Sequence, residues 1–82
     1  MDIEFDPAKD EANVAKHGVS LARVADLVGV IVVEDDRFSE PRFRLYGALD
    51  GISYCAAVTM RGDRLRVISL RRAHAKETRR YE

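Results

Sequence analysis

The sequence lacks several features that would mark a secreted, zinc-binding or membrane protein. Its one cysteine, Cys55, excludes an intramolecular disulfide and leaves no cysteine pair for a zinc site. We expect no signal peptide, and the sequence contains no long apolar run. Internal repeats, linkers and low-complexity segments are missing too. We therefore expect one domain over residues 1–82, working in a reducing cytoplasm.

The chain also lacks net charge, but its charges are unevenly distributed. It has 14 basic and 14 acidic residues, which gives a formal net charge of +0 at pH 7. From Arg61 onward there are eight basic residues and three acidic ones, so this end carries +5 and the first 60 residues carry −5. Because a locally basic surface attracts polyanions whatever the total charge, the C-terminal end is a candidate binding surface.

A first helix is predicted from Pro7 to about His17. Asp6 is typical of an N-cap, Pro7 fits the first helical position, and Gly18 can adopt the left-handed conformation that ends a helix. An apolar stripe contains Ala8, Ala12 and Ala15, and a polar stripe contains Lys9, Asn13 and Lys16, with His17 beside it. The polar stripe is a candidate functional surface.

The next segment is expected to form a second helix, a strand and a loop. Ser20 is typical of an N-cap, and Gly29 is expected to end the helix. The β-branched residues 30–33 predict a strand. Asp35 and Asp36 then fall in a segment that we expect to be a solvated loop rather than a metal site.

An antiparallel hairpin is predicted after Arg42, where apolar and polar residues alternate. Asp50-Gly51 favours a two-residue type I′ turn, which would pair Arg42 with Thr59. One face would then carry Phe43, Leu45, Leu49, Ile52, Tyr54, Ala56 and Val58, and the other Arg42, Arg44, Tyr46, Cys55, Ala57 and Thr59. The second face is rich in polar groups, which indicates a functional surface.

The last strand is expected from Leu65 to Arg71, with two possible registers. A two-residue turn would direct Val67, Ser69 and Arg71 to the core, whereas a three-residue turn with Gly62 in the left-handed region would direct Ile68 and Leu70 inward. We favour the second register because it avoids burying an unpaired guanidinium. With a final helix from about Ala73 to Tyr81, the fold class is α+β, with N-terminal helices packed on an antiparallel β-meander and a C-terminal helix closing it.

Several short motifs along the chain are similar to those of a known protein family. The motifs are Phe5-Asp6-Pro7-Ala8-Lys9, Asn13, Lys16-His17-Gly18-Val19-Ser20, Glu40, Arg42-Phe43, Gly47, Val67-Ile68-Ser69-Leu70-Arg71, Ala73, Glu77 and Tyr81-Glu82. In this order and spacing, the chain resembles the BrnT family of bacterial toxins, small ribonucleases of type II toxin–antitoxin systems with a RelE-like fold. Thr78 stands where the family usually has an arginine, so no active-site role is carried over to that position.

The resemblance implies a cytoplasmic, metal-independent endoribonuclease that needs no cofactor and arrests growth. Its neutralising partner would be a BrnA-type antitoxin, a ribbon-helix-helix protein, and promoter DNA would be bound only through the antitoxin complex. No membrane partner is implied. The basic C-terminal end adds the expectation that an acidic antitoxin segment covers the surface around Arg79 and Arg80.

RNA cleavage without a metal requires a base, an acid, and cations that stabilise charge on the phosphate. The candidate catalytic residues are Arg71, His17, Glu77, Arg42 and Tyr81, and the candidate RNA-binding residues are Lys9, Lys16, Arg44, Lys76 and Arg80. A guanidinium can grip phosphate oxygens with two parallel hydrogen bonds. An imidazole can act as acid or base near neutral pH.

Several of these residues also have a purely structural interpretation. His17 could cap the end of its helix, the helix lysines could form a solvated face, Arg71 and Glu77 could form a structural ion pair, and Tyr81 could anchor the C-terminus. The alternative function is a non-catalytic module that binds nucleic acid or protein with the same basic face.

Overall fold

The fold is a five-stranded sheet with helical segments near both chain ends. The computed structural model describes residues 2–81, and only the backbone of Tyr81. The elements are β1 (Ile3–Glu4), α1 (Pro7–His17), a 3₁₀ helix (Leu21–Asp26), β2 (Val28–Asp35), β3 (Arg42–Leu49), β4 (Ile52–Arg61), β5 (Arg64–Arg72) and α2 (Ala75–Tyr81). The strand order is β1-β5-β4-β3-β2, with β1 parallel to β5 and the other neighbours antiparallel. Within residues 2–81, no helix combines the length and apolarity needed to cross a membrane.

The predicted start and end of α1 are confirmed, but its buried face is not the predicted one. The Asp6 carboxylate accepts a hydrogen bond from the Ala8 N–H at 2.8 Å, and Gly18 has φ +72°. Ala8, Ala12 and Ala15 are exposed, whereas Asn13 is only 6% exposed. Short alanine side chains offer little area to bury, and α1 instead packs against β5 through the polar Asn13 side chain.

The second helix is shorter than predicted. Ser20 is the N-cap, as expected, but the helix is of the 3₁₀ type and ends at Asp26. Gly29 lies inside β2, at a register irregularity, with φ +66°. The start of β2 packs closely against Gly47 of β3. A Cβ atom added at Gly47 would lie 3.2 Å from the Val28 carbonyl oxygen. Because the pairing of β2 with β3 already begins at Val28, the helix ends before Gly29.

The core lies on one face of the sheet, beneath the segment that connects α1 to β2. Val19, Leu21 and Val24 from this segment pack against the sheet residues Leu45, Leu49, Ala56, Val58, Val67 and Leu70. These sheet residues alternate with the polar residues of the other face, so Arg42 and Arg44 of β3 and Arg71 of β5 lie on the side away from the core.

The β3–β4 hairpin has the predicted register. Asp50 has φ +52° and Gly51 has φ +80°, the positive values that a type I′ turn needs. Arg42 is paired with Thr59, as expected, and Leu49 with Ile52. Local turn chemistry therefore sets which β3 side chains face the core and which face away from it.

The register of β5 combines features of both predicted alternatives. Arg61 pairs with Arg64, so the turn has two residues, although Gly62 is left-handed with φ +62°. Between Val67 and Ser69 the register then shifts, and Ile68 is the extra residue of a β-bulge. As a result of this bulge, Val67 and Leu70 are buried in the core, whereas Ile68 is half-buried. Ile68 is therefore not part of the core, contrary to expectation, whereas Leu70 is buried and Ser69 and Arg71 lie on the polar face, as the favoured register predicted.

Candidate active site

A small cavity of about 190 Å³ lies between the polar face of the sheet and the loop of residues 36–41. It is lined by Asp35, Arg37, Phe38, Arg42, Phe43, Arg44, Cys55, Ala57, Ser69 and Arg71, and we call it the arginine cavity. Four arginines and one aspartate give its lining a formal charge of +3. Arg42 and Arg44 come from β3 and Arg71 comes from β5, and the two strands converge here because both pair with β4, which lies between them.

The Glu77 carboxylate links α2 to this face of the sheet. Arg71 donates from Nη1 to Oε1 at 2.9 Å and from Nη2 to Oε2 at 3.3 Å. The Tyr46 hydroxyl donates to Oε2 at 2.8 Å, and the His74 backbone N–H donates to Oε1 at 2.9 Å. Arg44 Nη1 lies 3.8 Å from Oε2. The side chain of Glu77 is 17% exposed, so one partly buried carboxylate holds groups from two strands and the start of α2.

These contacts shift the pKa of both the acid and its partners. The hydrogen bonds from Arg71, opposed by burial and aided by the His74 N–H, lower the pKa of Glu77 to about 2. The bond to Glu77 in turn raises the pKa of Arg71. Burial is the main reason that the pKa of Tyr46 rises to about 12. At neutral pH the cluster therefore contains an ionised Glu77 and a protonated Tyr46.

Arg71 keeps donors for a further ligand. Its Nη1 donates to Glu77 and to the Arg72 carbonyl oxygen at 3.1 Å, and its Nη2 makes one bond to Glu77. A guanidinium has five N–H groups, so Nε and the second N–H of Nη2 have no partner among the described residues. These two donors form one fork of the guanidinium. The fork matches two oxygens of a phosphate.

A second ion-pair cluster closes the other side of the arginine cavity. Asp35 accepts from Arg37 Nε at 2.8 Å and Nη2 at 2.7 Å, and Arg44 Nε lies 3.4 Å from its Oδ2. Hydrogen bonding to Arg37 holds the pKa of Asp35 well below its usual range. The expectation that Asp35 belongs to a solvated loop was wrong, because it ends β2 opposite Arg42 and its side chain is 10% exposed.

The loop of residues 36–41 places an aromatic ring beside the arginines. The Arg42 guanidinium carbon lies 4.0 Å from the centre of the Phe38 ring, and that of Arg37 lies 5.6 Å from it. Arg42 also donates to Glu40 at 2.9 Å. The Thr59 hydroxyl donates to the Pro41 carbonyl oxygen, which fixes the end of the loop to β4.

The predicted site residues of α1 are not joined to this cluster within the part of the chain that the structure describes. His17, Lys9 and Lys16 are exposed on α1, and no hydrogen bond or ion pair among the described residues joins them to Arg71 or Glu77. Lys76 and Arg80 are exposed on α2. The side chain of Tyr81 lies outside the described residues. The structure thus brings together Arg42, Arg44, Arg71 and Glu77 of the ten predicted residues.

The sequence prediction missed three members of the cluster. The sequence predicts Tyr46 on the polar face but not at the site, it predicts Asp35 in solvent, and it gives Phe38 no role. The β-branched run of β2 does not alternate between apolar and polar residues, so only the pairing of β2 with β3 places Asp35 beside Arg42. Nothing local indicates that Phe38 stacks on an arginine, because the contact depends on how the loop folds back.

Neither a metal nor a reactive thiol is indicated within the described part of the chain. Residues 2–81 contain no group of three or more histidine, cysteine or carboxylate side chains arranged to hold a metal ion. Cys55 lines the arginine cavity but is 4% exposed, and burial raises the pKa of its thiol. A raised pKa disfavours the nucleophilic thiolate.

Comparisons with known proteins found a family model and a crystal structure that each match most of the chain. A family model described as "Ribonuclease toxin, BrnT, of type II toxin-antitoxin system" matches residues 5–77. The crystal structure of the Brucella abortus ribonuclease toxin BrnT is 28% identical in sequence, with a TM-score of 0.75, and the match covers 90% of this chain and 97% of that one. No curated protein matches the chain. The similarity includes the strands that carry the arginine cavity.

Proposed function

Because the chain belongs to the BrnT family of ribonuclease toxins of type II toxin–antitoxin systems, we propose that it is a metal-independent endoribonuclease whose active site is the arginine cavity. The observation that carries the proposal is the convergence of Arg42, Arg44 and Arg71 on one cavity, with two donors of Arg71 left for a phosphate. Membership of the family supports an RNA target and an antitoxin partner.

The proposed reaction is attack of a ribose 2′-hydroxyl on the adjacent phosphorus atom. The new O2′–P bond forms, the P–O5′ bond breaks, a base takes the 2′-OH proton, and an acid protonates the leaving 5′-oxygen. The products are a 2′,3′-cyclic phosphate and a 5′-hydroxyl. The need for a 2′-OH restricts the reaction to RNA.

Arg71 is proposed to stabilise the negative charge that develops on the phosphate oxygens. Fixed donors aimed at a developing charge lower the barrier more than they strengthen substrate binding. Glu77 orients these donors, because it holds the adjacent Nη1/Nη2 edge of the guanidinium with two hydrogen bonds. Arg44 and Arg42 add positive charge and bind neighbouring phosphates.

Glu77 is poorly suited to carry a proton in this reaction. Its pKa of about 2 makes it a weak base at neutral pH, and both of its oxygens already accept hydrogen bonds. We therefore propose Glu77 as a positioning residue. Of the predicted catalytic residues, His17 and Tyr81 remain the candidates for acid and base.

The proposed partner is a BrnA-type antitoxin with a ribbon-helix-helix fold, acting in the cytoplasm. An acidic antitoxin segment would cover the arginine cavity and the basic end of α2, where Lys76, Arg79 and Arg80 are exposed. Promoter DNA would be contacted through the antitoxin, and growth would be inhibited when free toxin cleaves RNA.

The function is tested by incubating purified protein with end-labelled RNA in EDTA and mapping the product ends. We expect cleavage that leaves 2′,3′-cyclic phosphate or 3′-phosphate ends. Arg71→Ala should lower the cleavage rate by about 100-fold or more while RNA affinity falls by less than about tenfold. Arg64→Ala is the matched control, since it removes an exposed arginine at the start of β5 and should keep the parent rate.

Two results would count against this proposal. Loss of cleavage in EDTA with recovery by a divalent cation would show a metal requirement. RNA binding without cleavage, with affinity and salt dependence lost together in Arg71→Ala, would instead favour the non-catalytic binding module.

A further inference from the structure

An apolar groove of about 360 Å³ lies on the face of the sheet opposite the arginine cavity. Its floor includes Val30 and Val32 of β2, Met60 of β4 and Leu65 of β5. The segment between α1 and β2 covers the neighbouring part of this face and completes the core there. The groove is therefore a part of the core face that the described residues leave uncovered.

Its apolar side chains are unusually accessible. Val32 is 62% exposed and Met60 is 45% exposed. The groove also reaches β2, which is the last strand of the sheet, so one backbone edge of β2 has no neighbouring strand among residues 2–81. Accessible apolar surface of this kind, continuous with an open sheet edge, is typical of a protein-binding surface.

The charged residues that line the groove distinguish between possible binding partners. Its charged lining residues are Asp2 and Asp63, both exposed, and no basic side chain of residues 2–81 lines it. RNA would be repelled by these carboxylates. A second copy of the chain, related by two-fold symmetry, would bring the same carboxylates toward each other. A partner with apolar residues flanked by lysine or arginine would instead be attracted.

We infer that this groove is the anchoring site of the antitoxin, which inserts an amphipathic helix with an apolar side and basic flanks. The inference rests on the proposed function, because it takes the antitoxin as the partner. A helix fits because helical segments already cover the rest of this sheet face, and an apolar groove with a charged border is a common receptor for one. The antitoxin then holds the toxin from the face away from the arginine cavity.

The test uses the full-length toxin co-expressed with its cognate antitoxin, and the purified pair for affinity measurements. The variant Val32→Glu/Met60→Glu places two charges in the groove at exposed positions. Val14→Glu is the matched control, because Val14 is 46% exposed on α1 and does not line the groove. A second variant, Asp2→Lys/Asp63→Lys, changes only exposed carboxylates and keeps the apolar surface.

We expect both groove variants to weaken antitoxin binding by at least about tenfold and to stay toxic when the antitoxin is co-expressed. Their RNA cleavage rates without antitoxin should remain within about twofold of the parent, because no groove substitution touches the arginine cavity. Val14→Glu should be neutralised like the parent.

Parent-like antitoxin affinity in both groove variants would overturn the inference while leaving the ribonuclease intact. The inference would also be overturned if the parent toxin forms a dimer without antitoxin and the Val32→Glu/Met60→Glu variant is a monomer. A second copy of the chain would then occupy the groove. A parent protein that neither cleaves RNA nor binds an antitoxin would overturn the proposed function itself.

Discussion

At the scale of single residues, Glu77 has the most connected side chain of the site. It accepts from Arg71, Tyr46 and the His74 backbone, and these donors lie on two strands and at the start of α2. A carboxylate that accepts hydrogen bonds, above all from the charged Arg71, is stabilised as the anion, which explains its low pKa. Arg71 is thereby fixed in one orientation, and this orientation leaves the donors that we assign to the phosphate.

Glu77→Gln should lower both the stability and the catalytic rate. Replacing the anion weakens hydrogen bonds from a charged partner, at a cost of about 1–3 kcal/mol in the free energy of unfolding at pH 7. With Arg71 less firmly oriented, RNA cleavage should fall by about tenfold or more. Urea denaturation and the RNA assay measure the two effects, and Glu11→Gln on the exposed face of α1 is the control.

The same residue predicts how stability depends on pH. The pKa of Glu77 is lower in the folded protein, at about 2, than its ordinary value of 4.5. Its contribution to stability is therefore complete above about pH 4.5 and is lost as the pH falls toward 2. Glu77→Gln should show a smaller loss of stability over this range than the parent does. An identical acid dependence in both proteins would contradict the assignment.

At the scale of elements, the docking of α1 depends on a polar contact rather than on an apolar face. The Asn13 Nδ2 group donates to the carbonyl oxygens of Val19 at 2.9 Å and Leu70 at 2.8 Å, and its Oδ1 accepts from the Leu70 N–H at 3.1 Å. β1 pairs only with Leu65 and Arg66 of β5. Farther along the same edge, the Asn13 amide bonds to the β5 backbone as a neighbouring strand would.

Asn13→Ala should destabilise the protein strongly for a substitution in a surface helix. It leaves three buried backbone groups without partners, and each such group costs about 1–3 kcal/mol. We expect the free energy of unfolding to fall by at least about 2 kcal/mol. Asn13→Asp should be no better, because its carboxylate would face two carbonyl oxygens. Thermal and urea denaturation measure this, and Val14→Ala at the neighbouring exposed position should be nearly neutral.

At the scale of the whole molecule, the two faces of the sheet differ in charge and in proposed partner. The arginine cavity lies on one face, and the apolar groove with Asp2 and Asp63 lies on the other. A protein without net charge can therefore attract a polyanion on one side and a basic-flanked helix on the other. An antitoxin that contacts both faces would neutralise the toxin by covering its active site.

Charge reversal at Arg79 and Arg80 tests the contact with an acidic antitoxin segment. Arg79→Glu/Arg80→Glu should weaken antitoxin binding by at least about tenfold at low salt and by less at high salt, because the lost attraction is electrostatic. Lys9→Glu/Lys16→Glu makes the same charge change on exposed positions of α1 and should bind nearly as well as the parent. Equal affinities of all three proteins would exclude the basic end of α2 as a contact.

Much of the candidate site follows from alternation along the strands. The pattern after Arg42 placed Arg42, Arg44 and Tyr46 on one face, and avoiding an unpaired buried guanidinium placed Arg71 with them. The partners of these groups could not be predicted in the same way. Glu77 is 31 residues from Tyr46, and Phe38 meets Arg42 only because a loop folds back over the sheet.

The sequence by itself determined the features that depend on local sterics and turn chemistry. Asp6, Pro7 and Gly18 set the limits of α1, and Asp50-Gly51 set the register of the β3–β4 hairpin. Only the tertiary structure decided the bulge at Ile68, the burial of Asn13 and the shape of the apolar groove. These depend on contacts between segments far apart in the chain, where pairing and packing override the pattern of any one segment.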